Sequence, residues 1–194
     1  METIESIKSR ALAEHIPILM DDTLEVIIKV LVEEKPQRLL EIGTAVGYSA
    51  ICFAQNMNED SHIDTIELDE NRAQEARMNF EKLSLADRIN IFQGNAVEIL
   101  PTLQGEYDIV FIDAAKGKYP IFLKEAIRLL KDGGLILADN VLYKGYVLGD
   151  YNKHKQRTAV NHLREYLKEV QENPNLDTTL LEVGDGLAIT RVIK

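Results

Sequence analysis

Short apolar runs alternate with segments of helical periodicity along this sequence, and the alternation narrows the fold to one class. Five runs rich in β-branched residues are typical of strands: residues 38–42, 63–67, 89–92, 107–112 and 135–138. The segments between them carry apolar residues every three or four positions, which is the spacing of amphipathic helices. Strands that alternate with helices form βαβ units around a parallel sheet.

Local signals place some of these elements more closely. Residues 23–34 and 71–83 are predicted helices, and Pro36 ends the first of them. The Lys-Asp-Gly-Gly sequence at residues 131–134 is predicted to form a turn between a helix and the strand at residues 135–138. That strand should be central in the sheet.

The pattern changes toward the carboxyl end of the chain. One long helix is predicted over residues 153–173, where an Asn-Pro pair ends it. Two strand-like runs, residues 178–183 and 187–192, follow and are joined by a Gly-Asp-Gly turn, so they should pair antiparallel. We therefore predict an α/β fold, a Rossmann-like doubly wound sheet of five parallel strands plus a C-terminal antiparallel hairpin. Ligands of such folds bind outside the carboxyl ends of the strands.

The composition favours a single globular domain over residues 1–194. Apolar residues make up 45% of the chain and charged residues 28%, the balance of an ordinary folded protein. No apolar run approaches the roughly 20 residues of a membrane span, and no secretory signal is visible, so we expect a cytoplasmic protein with no membrane partner. The single cysteine, Cys52, is expected to be a buried thiol.

The charge of the chain limits its partners. A formal net charge of −10 argues against a protein that holds nucleic acid over a broad surface, because phosphate binding needs clustered Lys and Arg. A local basic patch is compatible with this charge. The densest basic cluster consists of Lys144, Lys153, His154, Lys155 and Arg157.

A glycine loop after the first strand is the first candidate binding site. Glu41 lies near the end of the strand, Gly43 and Gly47 follow, and Ser49 lies where a helix should begin. Glycines permit a tight turn and close approach of the backbone to a ligand, and the free N–H groups of a helix start can receive a carboxylate. A plain strand-to-helix turn is the alternative.

Two more candidate contacts follow the second and third strands. Glu67 ends the second strand, where nucleotide-binding folds keep an acid for the ribose hydroxyls, although it could also be a solvated strand end. Gly94, Asn95 and Ala96 follow the third strand and would lie beside an adenine ring. Asn95 can donate and accept hydrogen bonds there, and it is also a favoured helix cap.

Oxygen-bearing side chains follow the fourth and fifth strands. Asp113 comes directly after one, and Asp139 and Asn140 come directly after the other. Either aspartate alone would more often be a helix cap than a metal ligand. Together they offer the oxygen ligands that hard divalent cations such as Mg²⁺ prefer, and no His or Cys cluster with zinc spacing competes.

These stretches resemble the metal-dependent, catechol O-methyltransferase-like class I enzymes that use S-adenosylmethionine (SAM). The resemblance is carried by residues 40–49, 65–67, 107–116 and 137–142 and extends over nearly the whole chain. It implies a SAM-dependent O-methyltransferase that forms a homodimer and uses Mg²⁺ or another divalent cation.

The resemblance also implies roles for individual residues. Lys116, three residues after Asp113, matches the catalytic lysine of the family, and a solvated lysine is its alternative. The implied metal ligands are Asp113, Asp139 and Asn140. The predicted cofactor contacts are Glu41, Gly43, Gly47, Ser49, Glu67, Gly94, Asn95, Ala96 and Asp113.

Three interpretations of the function remain. Residues 150–153 and 183–189 resemble a bacterial subgroup that methylates 5-hydroxyuridine at the wobble position of tRNA, which would make the anticodon loop a partner. A small catechol or phenol acceptor is the alternative, although Thr179 stands where catechol enzymes place a glutamate near the substrate. A silent cofactor-binding or interaction module on the same fold is the third possibility.

Overall fold

The structure is a computed structural model that describes residues 2–149 and 156–194, and these residues divide into two compact units. The first unit is Met1–Ile99 and the second is Leu100–Lys194. No helix of the described residues is long and apolar enough to cross a membrane.

The first unit contains a parallel sheet with the strand order β3-β2-β1. Its elements are α1 (Ile4–Ala13), α2 (Asp21–Glu34), β1 (Arg38–Ile42), α3 (Tyr48–Asn56), β2 (His62–Glu67), α4 (Glu70–Lys82), β3 (Ile89–Gln93) and α5 (Ala96–Ile99). Ile42 pairs with Ile66, and Glu67 pairs with Gln93, so the three strands end side by side. The residues that follow these strands are therefore brought to one edge of the sheet.

Helices α1, α2 and α4 of the first unit bury apolar residues, and polar side chains cap α1 and α4 at their N-termini. In α2, the apolar residues Leu24, Ile27 and Leu31 are buried, whereas Val32 of the same predicted helix is 56% exposed. Helix α1 was not predicted from the sequence; the Thr3 side chain caps it by accepting from the backbone N–H of Ser6. Asp69 caps α4 in the same way.

The second unit contains a mixed sheet with the strand order β4-β5-β7-β6. Its elements are β4 (Tyr107–Ile112), α6 (Tyr119–Leu129), β5 (Leu130–Ala138), α7 (Arg157–Glu172), β6 (Leu176–Leu181) and β7 (Leu187–Val192), with short 3₁₀ turns at Leu100–Thr102 and Lys116–Lys118. Strands β4 and β5 are parallel, whereas β7 runs antiparallel to both β5 and β6. The predicted hairpin and the central place of the fifth strand are thus confirmed.

The turn predicted at residues 131–134 lies inside β5, as a bulge, and not between a helix and the start of the strand. Strand β5 already begins at Leu130, which pairs with Tyr107, and the register then shifts so that Ile109 pairs with Leu135. The glycines allow an irregularity within a strand here, because a Cβ on Gly134 would lie 3.1 Å from the carbonyl oxygen of Asp108. Gly133 has a φ of 75°, so it adopts the positive φ of a turn while strand pairing continues on either side of it.

Helices α6 and α7 pack through aromatic side chains. Tyr119 and Tyr166 are fully buried, and their rings meet edge to face with centroids 5.6 Å apart. The predicted start of the long helix at residue 153 lies outside the described residues. The described helix begins at Arg157.

A substitution pair tests the packing of the hairpin turn. Gly186 has a φ of +92°, and a Cβ there would lie 2.4 Å from the Cγ of Leu142 and 2.9 Å from the Leu142 backbone nitrogen. Gly145 has a φ of +73°, and nothing lies within 4 Å of its Cβ position. We expect Gly186→Ala to lower the free energy of unfolding by about 2–4 kcal/mol in a urea titration, and Gly145→Ala by about 1 kcal/mol. Equal losses would contradict the steric argument.

Candidate functional site

The glycine loop after β1 is shaped by the helix that packs beneath it. Gly43 and Gly47 have φ values of 106° and 87°. A Cβ on Gly47 would lie 2.5 Å from Phe80 of α4, so only glycine fits at this close approach. Helix α3 begins directly after Gly47, and no side chain of the described residues caps it. The N–H groups of its first turn lack partners within the helix.

Glu41 lies beneath this loop and is fully buried. Its carboxylate accepts hydrogen bonds from the Ser49 hydroxyl and the Thr65 hydroxyl, each at 2.5 Å. Two predicted cofactor residues, Glu41 and Ser49, are therefore bonded to each other. Glu41 fixes the Ser49 side chain at the start of α3.

Glu67 ties the loop to the end of β2. One carboxylate oxygen accepts from the backbone N–H of Ala45 at 2.7 Å, and the other accepts from that of Asp69 at 2.8 Å. Each carboxylate oxygen has a further lone pair, so the group can still accept from two vicinal hydroxyls. Glu67 as a whole is 8% exposed.

Residues 94–96 lie beside this carboxylate. The backbone N–H of Gly94 donates to the Glu67 carbonyl at 2.8 Å. The Asn95 side chain accepts from the N–H of Val97 at 3.1 Å, so it caps the short helix α5 that begins at Ala96. The cap explains Asn95 and is compatible with a ligand at its exposed side.

Together, the edge of the first unit offers a glycine loop, a helix start and a tethered carboxylate. These groups fit a cofactor that carries a ribose and an amino-acid carboxylate, because the ribose needs an acceptor and the carboxylate needs N–H donors. Asp113, also predicted to contact the cofactor, belongs to the second unit.

In the second unit, strand pairing brings Asp113 and Asp139 to neighbouring strand ends. Ile112 and Ala138 are register partners, and the N–H of Asp139 donates to the Ile112 carbonyl at 3.0 Å. The buried Tyr119 hydroxyl donates to the Asp139 carbonyl at 2.7 Å. The backbone of both aspartates is thus held in place.

The charged forms of the Asp113 and Asp139 carboxylates are disfavoured in the folded protein. Asp139 is 2% exposed; its burial, followed by the charge of Asp113, raises its pKa to about 7. Burial also raises the pKa of Asp113, against the opposing charge of Lys116. A bound cation would offset this cost, because it favours the charged form of both groups.

Asn140, the third predicted metal ligand, directly follows Asp139. It has a φ of 55°, and its backbone N–H donates to the Asp139 carboxylate at 2.7 Å. Among residues 2–149 and 156–194, no group of three or more His, Cys, Asp or Glu side chains forms a metal site. The candidate set has two carboxylates and one amide, an all-oxygen donor set that fits Mg²⁺ but leaves positions for other ligands.

Lys116 lies in the 3₁₀ turn after Asp113. Its Nζ atom lies 5.8 Å from the centre of the Tyr143 ring. The turn is held by α7, because Nδ1 of His162 lies 2.6 Å from the Gly117 carbonyl oxygen and must donate to it.

Helix α7 also holds the loop that contains Tyr143. Arg164 donates to the carbonyls of Tyr146, Val147 and Gly149 at 3.3, 3.1 and 2.5 Å. Sequence reasoning missed His162 and Arg164, because neither belongs to a local motif and both act through distant backbone carbonyls.

The basic cluster can be located only in part. Lys153, His154 and Lys155 lie outside the described residues, as do residues 150–152 of the stretch that resembles the tRNA subgroup. Lys144 and Arg157 are exposed. Thr179 lies in β6 and pairs with Ile189.

Comparison with known proteins places this geometry in a family. A family model described as O-methyltransferase matches residues 6–193. The catechol O-methyltransferase of Mycobacterium tuberculosis is 36% identical over 162 residues, which is 80% of this chain and 72% of that protein.

Solved structures show the same fold. A Staphylococcus aureus protein provisionally named a caffeoyl-CoA O-methyltransferase superposes with a TM-score of 0.91 at 34% identity, covering 99% of this chain and 93% of that one. An O-methyltransferase from Bacillus cereus, solved in complex with S-adenosylhomocysteine (SAH), gives 0.88 at 26% identity over 97% and 90%. The predicted fold class, the seven-stranded α/β class I methyltransferase fold, is confirmed.

The raised pKa of Asp139 predicts how the stability of the protein depends on pH. An acid with a raised pKa in the folded state destabilises the fold as the pH rises from its ordinary pKa of about 4 to its folded pKa. In EDTA, we expect Asp139→Asn to be more stable than the wild type by about 2–4 kcal/mol at pH 8 and nearly equal at pH 4, measured by urea denaturation.

The exposed Asp177 of β6 offers a matched control. Asp177→Asn should change stability by the same small amount at both pH values. A pH-independent effect of Asp139→Asn would contradict the assignment of the cost to this carboxylate.

Proposed function

The chain belongs to the O-methyltransferase family, and from this premise we propose that it uses a divalent cation to methylate one of two neighbouring oxygens on its acceptor. It is a SAM-dependent enzyme. The observation that carries the proposal is the pair of carboxylates, buried Asp139 and half-buried Asp113, at paired strand ends with raised pKa values. Such a pair is stabilised by a cation and is costly without one.

The reaction assigns separate tasks to the two units. The groups that would bind SAM lie after β1, β2 and β3, and the groups that would hold the acceptor side lie after β4 and β5. In the transfer, a lone pair of the acceptor oxygen attacks the methyl carbon, the carbon–sulfur bond breaks, and SAH leaves as a neutral sulfide. Rate then depends mainly on positioning the oxygen in line with that bond.

The residues of the second unit supply the remaining chemistry. Asp113, Asp139 and Asn140 would hold the cation, which when bound lowers the pKa of an acceptor hydroxyl. Lys116, in its neutral form, receives the hydroxyl proton on Nζ. Its turn is fixed by His162, so Nζ is presented from a defined backbone.

A small catechol-type acceptor is the acceptor class that we favour. The Mycobacterium tuberculosis relative is a catechol O-methyltransferase, and a catechol offers two neighbouring ring oxygens to one cation. The net charge of −10 also suits a small acceptor better than a polyanion.

5-Hydroxyuridine in tRNA is the second candidate. Its O4 atom and 5-hydroxyl are also neighbouring oxygens, and a base in an anticodon loop can be splayed into a pocket. Exposed Lys144, one residue after Tyr143, is a group that could contact phosphate. The homodimer stays a prediction.

The first test measures transfer of label from SAM in Mg²⁺ to a simple catechol and, in parallel, to tRNA that carries 5-hydroxyuridine. We expect label in the catechol that EDTA abolishes. EDTA-sensitive label in the tRNA alone would move the proposal to the second acceptor. Transfer that persists undiminished in EDTA would overturn the role of the cation.

Substitution of the lysine tests its role as the proton acceptor. Lys116→Met should lower kcat by about 10²–10⁴-fold without changing the Kd for SAH, because the base is lost and the cofactor groups remain. Lys118→Met, in the same turn and exposed, is the control and should keep kcat within about threefold. Similar losses in both variants would argue against a specific role.

A further inference from the structure

A buried amide links the cofactor loop to helix α4. Asn79 is 1% exposed, and its side-chain N–H donates to the carbonyl of Val46 at 2.9 Å. Val46 directly precedes Gly47, the residue from which α3 begins. A buried amide is costly unless its polar atoms are bonded, so both ends of this side chain need partners.

The other end of the amide is bonded to helix α1. Arg10 donates from Nη2 to the Asn79 side-chain oxygen at 3.1 Å. A guanidinium can only donate and a carbonyl can only accept, so the two partners fix the orientation of the amide. The result is a chain of hydrogen bonds from α1 through α4 to the loop.

Arg10 is itself held by acids on both sides. Its Nε atom donates to Glu75 of α4, and its Nη1 atom donates to Glu2, both at 3.0 Å. Each nitrogen of the guanidinium therefore has an acceptor in the first unit. Because three hydrogen bonds fix the Arg10 side chain, a movement of α1 would also move the group that bonds to Asn79.

Three successive residues of the cofactor loop, 45–47, are each held by a contact from another element. Glu67 accepts from the N–H of Ala45, Asn79 donates to Val46, and Phe80 packs under Gly47. Two of these contacts come from adjacent residues of α4, Asn79 and Phe80. Loss of the Asn79 bond would free the peptide that sets the start of α3.

We propose that Arg10 and Asn79 are positioning residues that hold the cofactor loop in its binding conformation and couple the docking of α1 to SAM binding. The inference rests on the proposed function only in that the first unit binds SAM; the acceptor and the cation do not enter. Because coupling is reciprocal, bound cofactor also stabilises the docking of α1.

The test measures the Kd of the full chain for SAH by titration calorimetry. Arg10→Ala removes the link at α1, and Asn79→Leu keeps the shape of the side chain but removes both bonds. We expect each to raise the Kd about 5- to 10-fold, the effect of losing one or two hydrogen bonds.

A matched control separates this role from general loss of packing. Lys8, also in α1, forms an ion pair with Asp21 at 2.6 Å and has no bond to the loop. Lys8→Ala should leave the Kd within about twofold, even if it lowers stability as much as Arg10→Ala in urea.

Hydrogen exchange gives a second measurement on the same proteins. SAH should slow the exchange of the amides of residues 4–13 in the wild type, and this protection should be absent in Asn79→Leu. Wild-type binding of SAH with unchanged Kd in both variants would overturn the coupling alone. Failure of the wild type to bind SAH would overturn the cofactor site and the coupling with it.

Discussion

The closeness of two carboxylates, buried Asp139 and half-buried Asp113, is the constraint on which the candidate site depends. Strand register and the Tyr119 hydroxyl hold the backbone at the two strand ends that carry them. Asp185 of the hairpin turn adds a third negative charge that raises the pKa of Asp139. Folding therefore maintains a concentration of negative charge that the cation of the proposed function would neutralise.

Buried acids of the first unit have hydrogen-bond donors as their partners. Glu41 is more deeply buried than Asp113, but two hydroxyls donate to it. Glu67 receives two backbone N–H groups. Asp139 differs from them in its partner, because the charge of Asp113 is one of the causes that raise its pKa.

The sequence predicted the strand ends well and the supporting contacts poorly. Strand β4 and strand β7 have the predicted bounds, and polar residues directly after apolar runs identified Asp113, Asp139 and Glu67. Such signals are local, so the sequence carries them. The bond from His162 to Gly117 spans 45 residues and that from Arg10 to Asn79 spans 69, and no local pattern encodes which helix surfaces meet.

In the proposed function, the residues that would hold the cation lie on other elements than the residues that would surround the rest of the acceptor. A cation that binds two neighbouring oxygens responds to their spacing and charge, so a catechol and 5-hydroxyuridine present it with the same pair of ligands. Discrimination must therefore come from the surroundings, where the rings of Tyr143 and Tyr146 meet edge to face at 5.8 Å in a loop that Arg164 holds. Because α7 bonds to both this loop and the Lys116 turn, we expect a change in α7 to alter acceptor preference while the proposed metal ligands stay the same.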